Sequence, residues 1–402
     1  MKTIFIDSAG CTENIIDGAI IKNIAETEGY VHIKNPDEAD LIIFNTCAFK
    51  QKQEDQCIKK LMEYEKIKKE NAKIVVCGCL VGINKEKLDS YFNGPTFNSS
   101  ELKKFYDLLN IEEPEKVEEE HHITREISDH EMFGTRAFIE RIYGIKKYFK
   151  RKTNIDFLPN FNLYNYIGDE NTLFIRISRG CMNSCGYCAI RFAQGPLVSR
   201  PMEEILGTIR KGIKKGFDKV FLVGTNTSQY GMDIGTTFFE LFEKVLQIDG
   251  DFKIIVHNFE PHGVEKYTEE FLRLFASPKI LSFYFPINSG SQRVLNKMRR
   301  YYDISKMHDI LKKLKSVNGE ILIRTEFIVG YPGERWKDFL ETVGLIRKFR
   351  FDQVELHKYS PRPNIYSLSL DEQVGNLVKE FRFILIHIIV FFKVSIKMFR
   401  PF

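Results

Sequence analysis

The chain has 402 residues, 43% of them apolar and 28% charged, enough length for two or three domains and enough apolar content to bury sizeable cores. Its net charge of +5 permits an anionic partner without demanding one. The opening residues 1–11 lack the long apolar stretch of an export signal, so the eight cysteines read as metal-binding or catalytic thiols of a cytosolic chain, and a secreted disulfide framework is set aside.

Up to about residue 110, short β-rich runs alternate with helical patterns. The run TIFID (3–7) precedes a helical stretch over 14–28, DLIIF (40–44) precedes another over 51–71, and KIVV (73–76) follows. Near-continuous apolar strands separated by helices predict an open parallel sheet covered on both faces, an N-terminal domain of residues 1–111. Residues 112–165 are strongly charged and read as a linker with some helix. Within it, the three histidines of EHHITREISDHE fit a solvated acidic face better than a metal site. The basic-aromatic run KKYFKRK (146–152) suits a solvated face too, with phosphate contact as the sharper alternative.

From residue 172 the strand–helix rhythm resumes six times, with candidate strands at 173–177, 219–223, 253–256, 281–285, 321–329 and 353–356. The expected fold class is therefore α/β, an N-terminal open parallel sheet domain followed by a partial (β/α)6 barrel over 166–375. In such barrels the chemistry sits on the loops that follow the strands. The tail, 376–402, breaks the rhythm. Its apolar run 383–392 is half the roughly 20 residues of a membrane span, so we expect a core strand or an aberrant terminus there and no membrane partner.

The loop after the first barrel strand carries Cys181, Cys185 and Cys188. Thiolates are soft ligands that suit zinc or iron–sulfur clusters. Four thiolates would close a 4Fe-4S cluster; three leave one iron open to a substrate or cofactor. Three further cysteines, Cys11, Cys47 and Cys79, each fall a few residues after a strand of the first sheet. Ligands bind at the carboxyl ends of strands in open parallel sheets. From that placement alone, a second three-thiolate site and a scatter of buried thiols both remain open. Cys57, mid-helix, and Cys77, continuing an apolar strand, read as packing residues.

The C-x3-C-x2-C spacing, with Tyr187 before the last Cys, resembles the radical S-adenosylmethionine (SAM) superfamily. GCTEN (10–14), ADLIIFNTCAF (39–49) and VVCGCL (75–80) are similar to the N-terminal domain of methylthiotransferases. SGSQRVLNKMRRYY (289–302), EFIVGYPGE (326–334) and YSPRP (359–363) match that family's loop signatures in order, over residues 1 to about 375. The resemblance implies a partial radical SAM barrel, two 4Fe-4S clusters and SAM. Cys181, Cys185 and Cys188 would hold the cluster that cleaves SAM to a 5′-deoxyadenosyl radical. Cys11, Cys47 and Cys79 would hold an auxiliary cluster that carries sulfur, and a second SAM would methylate it.

In the family the GTNTSQYG loop (224–231) lies near SAM, which nominates Asn226. Tyr187, Arg200, Ser291 and Arg362 are the other candidate cofactor contacts, the two arginines because their planar fork suits a carboxylate or phosphate. Each also has a plain reading, as a turn residue or a surface Arg. The substrate implied is the modified adenosine beside the tRNA anticodon, in its threonylcarbamoyl or isopentenyl form. A ribosomal-protein aspartate is the alternative, and a non-catalytic or impaired iron–sulfur protein is a second one. A reducing partner such as flavodoxin or ferredoxin and a cytoplasmic location follow from the same resemblance. Asn288 stands where the family usually has Gln, Glu326 where it has Asp, and Asn364-Ile365 where it has Gly-Thr. The tail does not supply the small RNA-binding β-barrel that usually ends the family, and a truncated or frame-shifted coding sequence would explain the abrupt change at 376–380.

Overall fold

The computed structural model describes residues 2–112, 171–349 and 351–396. The expected linker therefore lies outside the described residues apart from Glu112, and with it the KKYFKRK run and the three histidines. The described residues form two compact units, one from 2–112, 171–252 and 360–369, the other from 253–359 and 370–396.

The first unit opens with a five-stranded parallel sheet. Its strands are β1 (Thr3–Ser8), β2 (Val31–His32), β3 (Leu41–Thr46), β4 (Lys73–Gly78) and β5 (Thr96–Phe97), in the order β2-β1-β3-β4-β5. All six residues of β3 are buried, as a central strand covered on both faces requires. The two edge strands have two residues each, too short to recruit another chain. Helices α1 (Thr12–Thr27) and α2 (Gln51–Ile67) follow β1 and β3, while α3 (Cys79–Ile83), α4 (Lys85–Asp89) and α5 (Lys103–Leu109) are short.

The same unit holds β6 (Thr172–Arg179) paired in parallel with β8 (Lys219–Gly224), and α6 (Ile190–Gln194), α7 (Met202–Lys214) and α8 (Phe238–Leu246). A two-residue strand, β7 (Val198–Ser199), runs antiparallel to β6. The sequence did not predict it, because two residues carry no alternation to read.

In the second unit β9 (Lys253–Val256), β10 (Ile280–Asn288), β11 (Leu322–Val329) and β12 (Gln353–Lys358) form a parallel run ordered β12-β11-β10-β9. Helices α9 (Pro261–Lys266), α10 (Thr268–Phe275), α11 (Gln292–Lys297), α12 (Ile304–Val317) and α13 (Trp336–Lys348) alternate with these strands. The α/β class expected from sequence is found, with two parallel strands after residue 170 in the first unit and four in the second.

The tail is corrected. It forms no core strand but a helix, α14 (Asn376–Ile396). An apolar run alone does not distinguish a buried strand from a helix; the charged residues at its start do. Lys379, Arg382 and Ile386 are buried at spacings of three and four, while Leu377, Phe381, Ile384 and Ile388 face out at the same helical period. Arg382 donates to the Glu334 carboxylate at 2.6 Å and to the Glu334 carbonyl at 3.1 Å, tying α14 to the turn after β11. Among the described residues no helix is long and apolar enough to cross a membrane.

Candidate functional site

The first thiol loop leaves β6 through Gly180, at φ +75°, where a Cβ would run into the carbonyl of Pro196. Only glycine allows this turn, and it delivers Cys181 one residue later. Several hydrogen bonds then fix the loop. Thr225 Oγ accepts the Gly180 N–H at 3.2 Å, and Cys181 Sγ accepts from the Asn183 N–H at 3.4 Å and from Asn226 Nδ2 at 3.8 Å. Gln229 Oε1 accepts the Met182 N–H at 2.9 Å and faces Cys181 Sγ at 3.5 Å. Cys188 N–H donates to the Cys185 carbonyl at 3.1 Å.

Cys188 keeps part of its surface open, yet burial pushes its thiol up to about 12, with the neighbouring Cys185 and Cys181 adding to the rise. Backbone N–H groups of Ile190 and Arg191 point at the same sulfur and oppose it. A thiol held neutral in this way gives up its proton when a metal cation takes its place, which is the condition for ligation.

The second set assembles at the carboxyl ends of β1, β3 and β4, as the sheet topology leads one to expect. Gly10, at φ +109°, permits the close approach. A Cβ there would sit 2.8 Å from Cys47 Cβ and 2.9 Å from Cys47 Sγ. Burial raises the Cys79 thiol well above its ordinary value, with Cys47 and then Cys11 contributing. Cys11 is exposed; Cys47 and Cys79 are buried.

Asn14, which the sequence reading missed, sits at the centre of this group. Its Nδ2 donates to the carbonyls of Ala9 (2.6 Å) and Thr46 (3.0 Å), its carbonyl accepts from Asn45 Nδ2 (2.6 Å), and its Oδ1 lies 3.5 Å from Cys79 Sγ. The packing assignment of Cys57 needs enlarging as well. Its Sγ accepts from the Cys47 N–H and donates to the Cys47 carbonyl, both at 3.4 Å, so it braces a candidate ligand as well as filling space. Cys77 is buried, and burial raises its thiol.

Among the described residues, no three His, Cys, Asp or Glu converge as a single-ion site requires. A lone zinc draws all its sulfurs to about 2.3 Å from one point. A cubane offers each thiolate its own iron, and so suits donors that are neighbours without converging. Three soft thiol donors in each set are the kind of ligand such a group takes.

Of the other predicted contacts, Asn226 is buried beside Cys181, and Ser228 donates to its Oδ1 at 2.8 Å. Tyr187 is half-buried within the loop itself. Arg200 donates to the Arg176 carbonyl at 3.1 Å, behind the loop. Arg362 is no surface residue. It is 3% exposed and ion-paired with Glu54, which is 2% exposed, and it is near enough to feel Cys47. The segment that carries it also packs Ile365 into the core of the first sheet and donates the Ser367 N–H to the carbonyl of Gly186 at 2.9 Å, inside the thiol loop. Ser291 belongs to the second unit, where its hydroxyl donates to Asp338 Oδ1 at 2.8 Å beside Arg293. Asn14 closes the GCTEN motif and Gln229 lies in the GTNTSQYG loop, but neither motif assigns them these contacts, and no short motif flags Glu54, whose partner Arg362 is distant in sequence.

Two family models match the chain, the Uncharacterized protein family UPF0004 over residues 3–97 and the Radical SAM superfamily over residues 175–346. A tRNA-2-methylthio-N(6)-dimethylallyladenosine synthase of a Sulfurihydrogenibium species is 30% identical, over 89% of this chain and 77% of that one. This chain belongs to the methylthiotransferase family. A second synthase of that name, from Fusobacterium nucleatum, is 30% identical over 95% of this chain and 82% of its own length. A probable threonylcarbamoyladenosine tRNA methylthiotransferase of Pyrococcus abyssi is 29% identical over 94% of this chain and 82% of its own. Among solved structures, the radical SAM methyltransferase TsrM of Kitasatospora setae, bound to cobalamin and a 4Fe-4S cluster, superposes with a TM-score of 0.61 at 13% identity, covering 91% of this chain and 77% of that one. At that identity the likeness shows the fold shared by this methylthiotransferase, and no more.

Proposed function

We propose that this methylthiotransferase adds a methylthio group to the modified adenosine beside the tRNA anticodon, in its threonylcarbamoyl form. The observation that carries the reading is the pair of three-thiol sets in one compact unit of a chain similar, over nine tenths of its length, to enzymes named for that chemistry. The domain division proposed is an auxiliary-cluster domain over 1–111, a linker over 112–165, a radical SAM domain over 166–375 and the tail beyond.

Cys181, Cys185 and Cys188 would hold one 4Fe-4S cluster, and Cys11, Cys47 and Cys79 the other. Bound there, the clusters supply the electron that breaks SAM and a site for the sulfur to be transferred. The chain's own work is to orient. Asn226 and Gln229 set the position of Cys181; Tyr187 shields the loop; Arg200 stiffens the strand behind it. Cys57 and Asn14 set the second group. Arg362 and Ser291 act through Glu54 and Asp338. Hydrogen abstraction from carbon needs no general base. The electron would come from a flavodoxin- or ferredoxin-type partner in the cytoplasm.

Nucleoside mass spectrometry of tRNA from cells lacking the gene tests this. Loss of the methylthio group from threonylcarbamoyladenosine supports the reading. Loss from the isopentenyl form reassigns the substrate, and unchanged tRNA with an unmodified ribosomal-protein aspartate overturns it.

A further inference from the structure

Between the two thiol sets lies a knot of buried charge that neither set requires. Helix α1 begins one residue after Cys11, and β6 ends two residues before Cys181. Glu13 and Asp17, one turn apart on α1, meet Arg176 and Arg179 of β6. Arg176 Nε lies 3.1 Å from Glu13 Oε2, and its Nη2 reaches Asp17 Oδ1 at 2.7 Å and the Glu13 carbonyl at 2.8 Å. Arg179 Nη2 takes the same oxygen of Asp17. Glu13, Asp17 and Arg176 are 5%, 7% and 3% exposed. The Thr225 hydroxyl donates to Glu13 Oε1 at 3.3 Å, and Thr225 Oγ accepts the Gly180 N–H at 3.2 Å. An unbroken chain of polar contacts thus runs from two residues past Cys11 to the residue before Cys181.

Stability is a poor reason for such a knot. The cost of removing four charges from water offsets most of their attraction, and apolar residues of equal volume often serve as well. Direction is the better reason. The guanidinium fork bonds along fixed lines, so any slide of α1 along β6 would leave buried charges unpaired. We propose that Glu13, Asp17 and Arg176 are positioning residues that fix the Cys11 loop against the Cys181 loop, so that a substrate atom activated at one site is within reach of the other. This rests on the two-site reaction proposed above.

The test removes the three buried charges together, because removing one would strand the others, while the Arg179 side chain, 19% exposed, keeps contact with water. In cluster-free protein, Glu13→Gln/Asp17→Asn/Arg176→Met should fold with a similar melting midpoint, while the Gly180 amide exchanges hydrogen faster. In reconstituted protein, iron content and SAM cleavage should be unchanged. The ratio of 5′-deoxyadenosine to methylthio product should rise about tenfold or more, since a misplacement of about 1 Å can cost on the order of a hundredfold. Unaltered exchange with an unaltered ratio overturns the proposal. Should the triple variant not fold, Thr225→Val cuts the path from Glu13 to Gly180 without burying a charge. It should raise both readouts in the same direction, and no rise again overturns the proposal. Wild type that makes no methylthio product would sink the proposed function, and the exchange measurement on cluster-free protein would still decide the knot.

Discussion

The two thiol sets are assembled by opposite routes. Cys181, Cys185 and Cys188 sit in a single loop whose hydrogen bonds come mainly from its own backbone and from the 224–231 loop beside it, with one from Ser367 to Gly186. Cys11, Cys47 and Cys79 lie on three separate strand ends and meet only because β1, β3 and β4 are neighbours in register. A local site survives any rearrangement that leaves its loop intact. A distributed site fails whenever the sheet, its edge loops or the struts beneath them shift.

The largest expected effects separate the two. Cys185→Ala should end 5′-deoxyadenosine formation, whereas Cys47→Ala should leave it and end methylthio transfer; chromatography with mass spectrometry of the products reads both. Persistence of deoxyadenosine in the first variant would undo the assignment of the loop.

The turn glycines come next. Gly180→Ala forces a left-handed backbone and a clash with Pro196, and Gly10→Ala forces a clash with Cys47. Strain of about 1–3 kcal/mol is expected at each, with iron lost from the first set in one variant and from the second in the other. Equal loss from both sets in either variant would break the contrast.

Arg362→Met strands the buried Glu54 carboxylate, with Lys87 at 2.7 Å as its remaining cationic partner. Removing one member of a buried pair costs about 3–5 kcal/mol, and denaturant melts should show most of it recovered in Arg362→Met/Glu54→Gln. The smallest effect is that of Cys57→Ala. It should cost about 1–2 kcal/mol through lost packing and two weak hydrogen bonds, loosening only the Cys47 set, while Gln229→Ala should loosen only the Cys181 set. Iron titration of each variant, with the Cys185 and Cys47 variants as references, reads which set was weakened.

The sequence made the local site plain because spacing alone encodes it. Topology put Cys11, Cys47 and Cys79 at neighbouring strand ends but left a scatter of buried thiols open, and only the family resemblance favoured a shared site. What the sequence hid are contacts between residues far apart in the chain. Glu13 with Arg176, Glu54 with Arg362 and Asn14 with Thr46 follow from no periodicity or spacing. Two departures from the family pattern also looked independent in sequence. In the structure they are partners: Asn288 Nδ2 donates to Glu326 Oε1 at 2.7 Å, the shorter amide facing the longer carboxylate. Asn364, in the place of a usual Gly, holds φ at +61°, a conformation that Asn tolerates better than most residues. The helix α14 was hidden because its apolar run has no period of its own; Lys379 and Arg382 reveal its buried face only once their packing is seen.

The central claim, that each trio of thiols grips its own cluster and that SAM meets only one, is open to a direct measurement. Electron paramagnetic resonance of anaerobically reconstituted, reduced protein, with and without SAM, should show two cluster signals, of which the one lost in Cys185→Ala shifts on adding SAM. A single signal, or a shift that survives in Cys185→Ala, would contradict it.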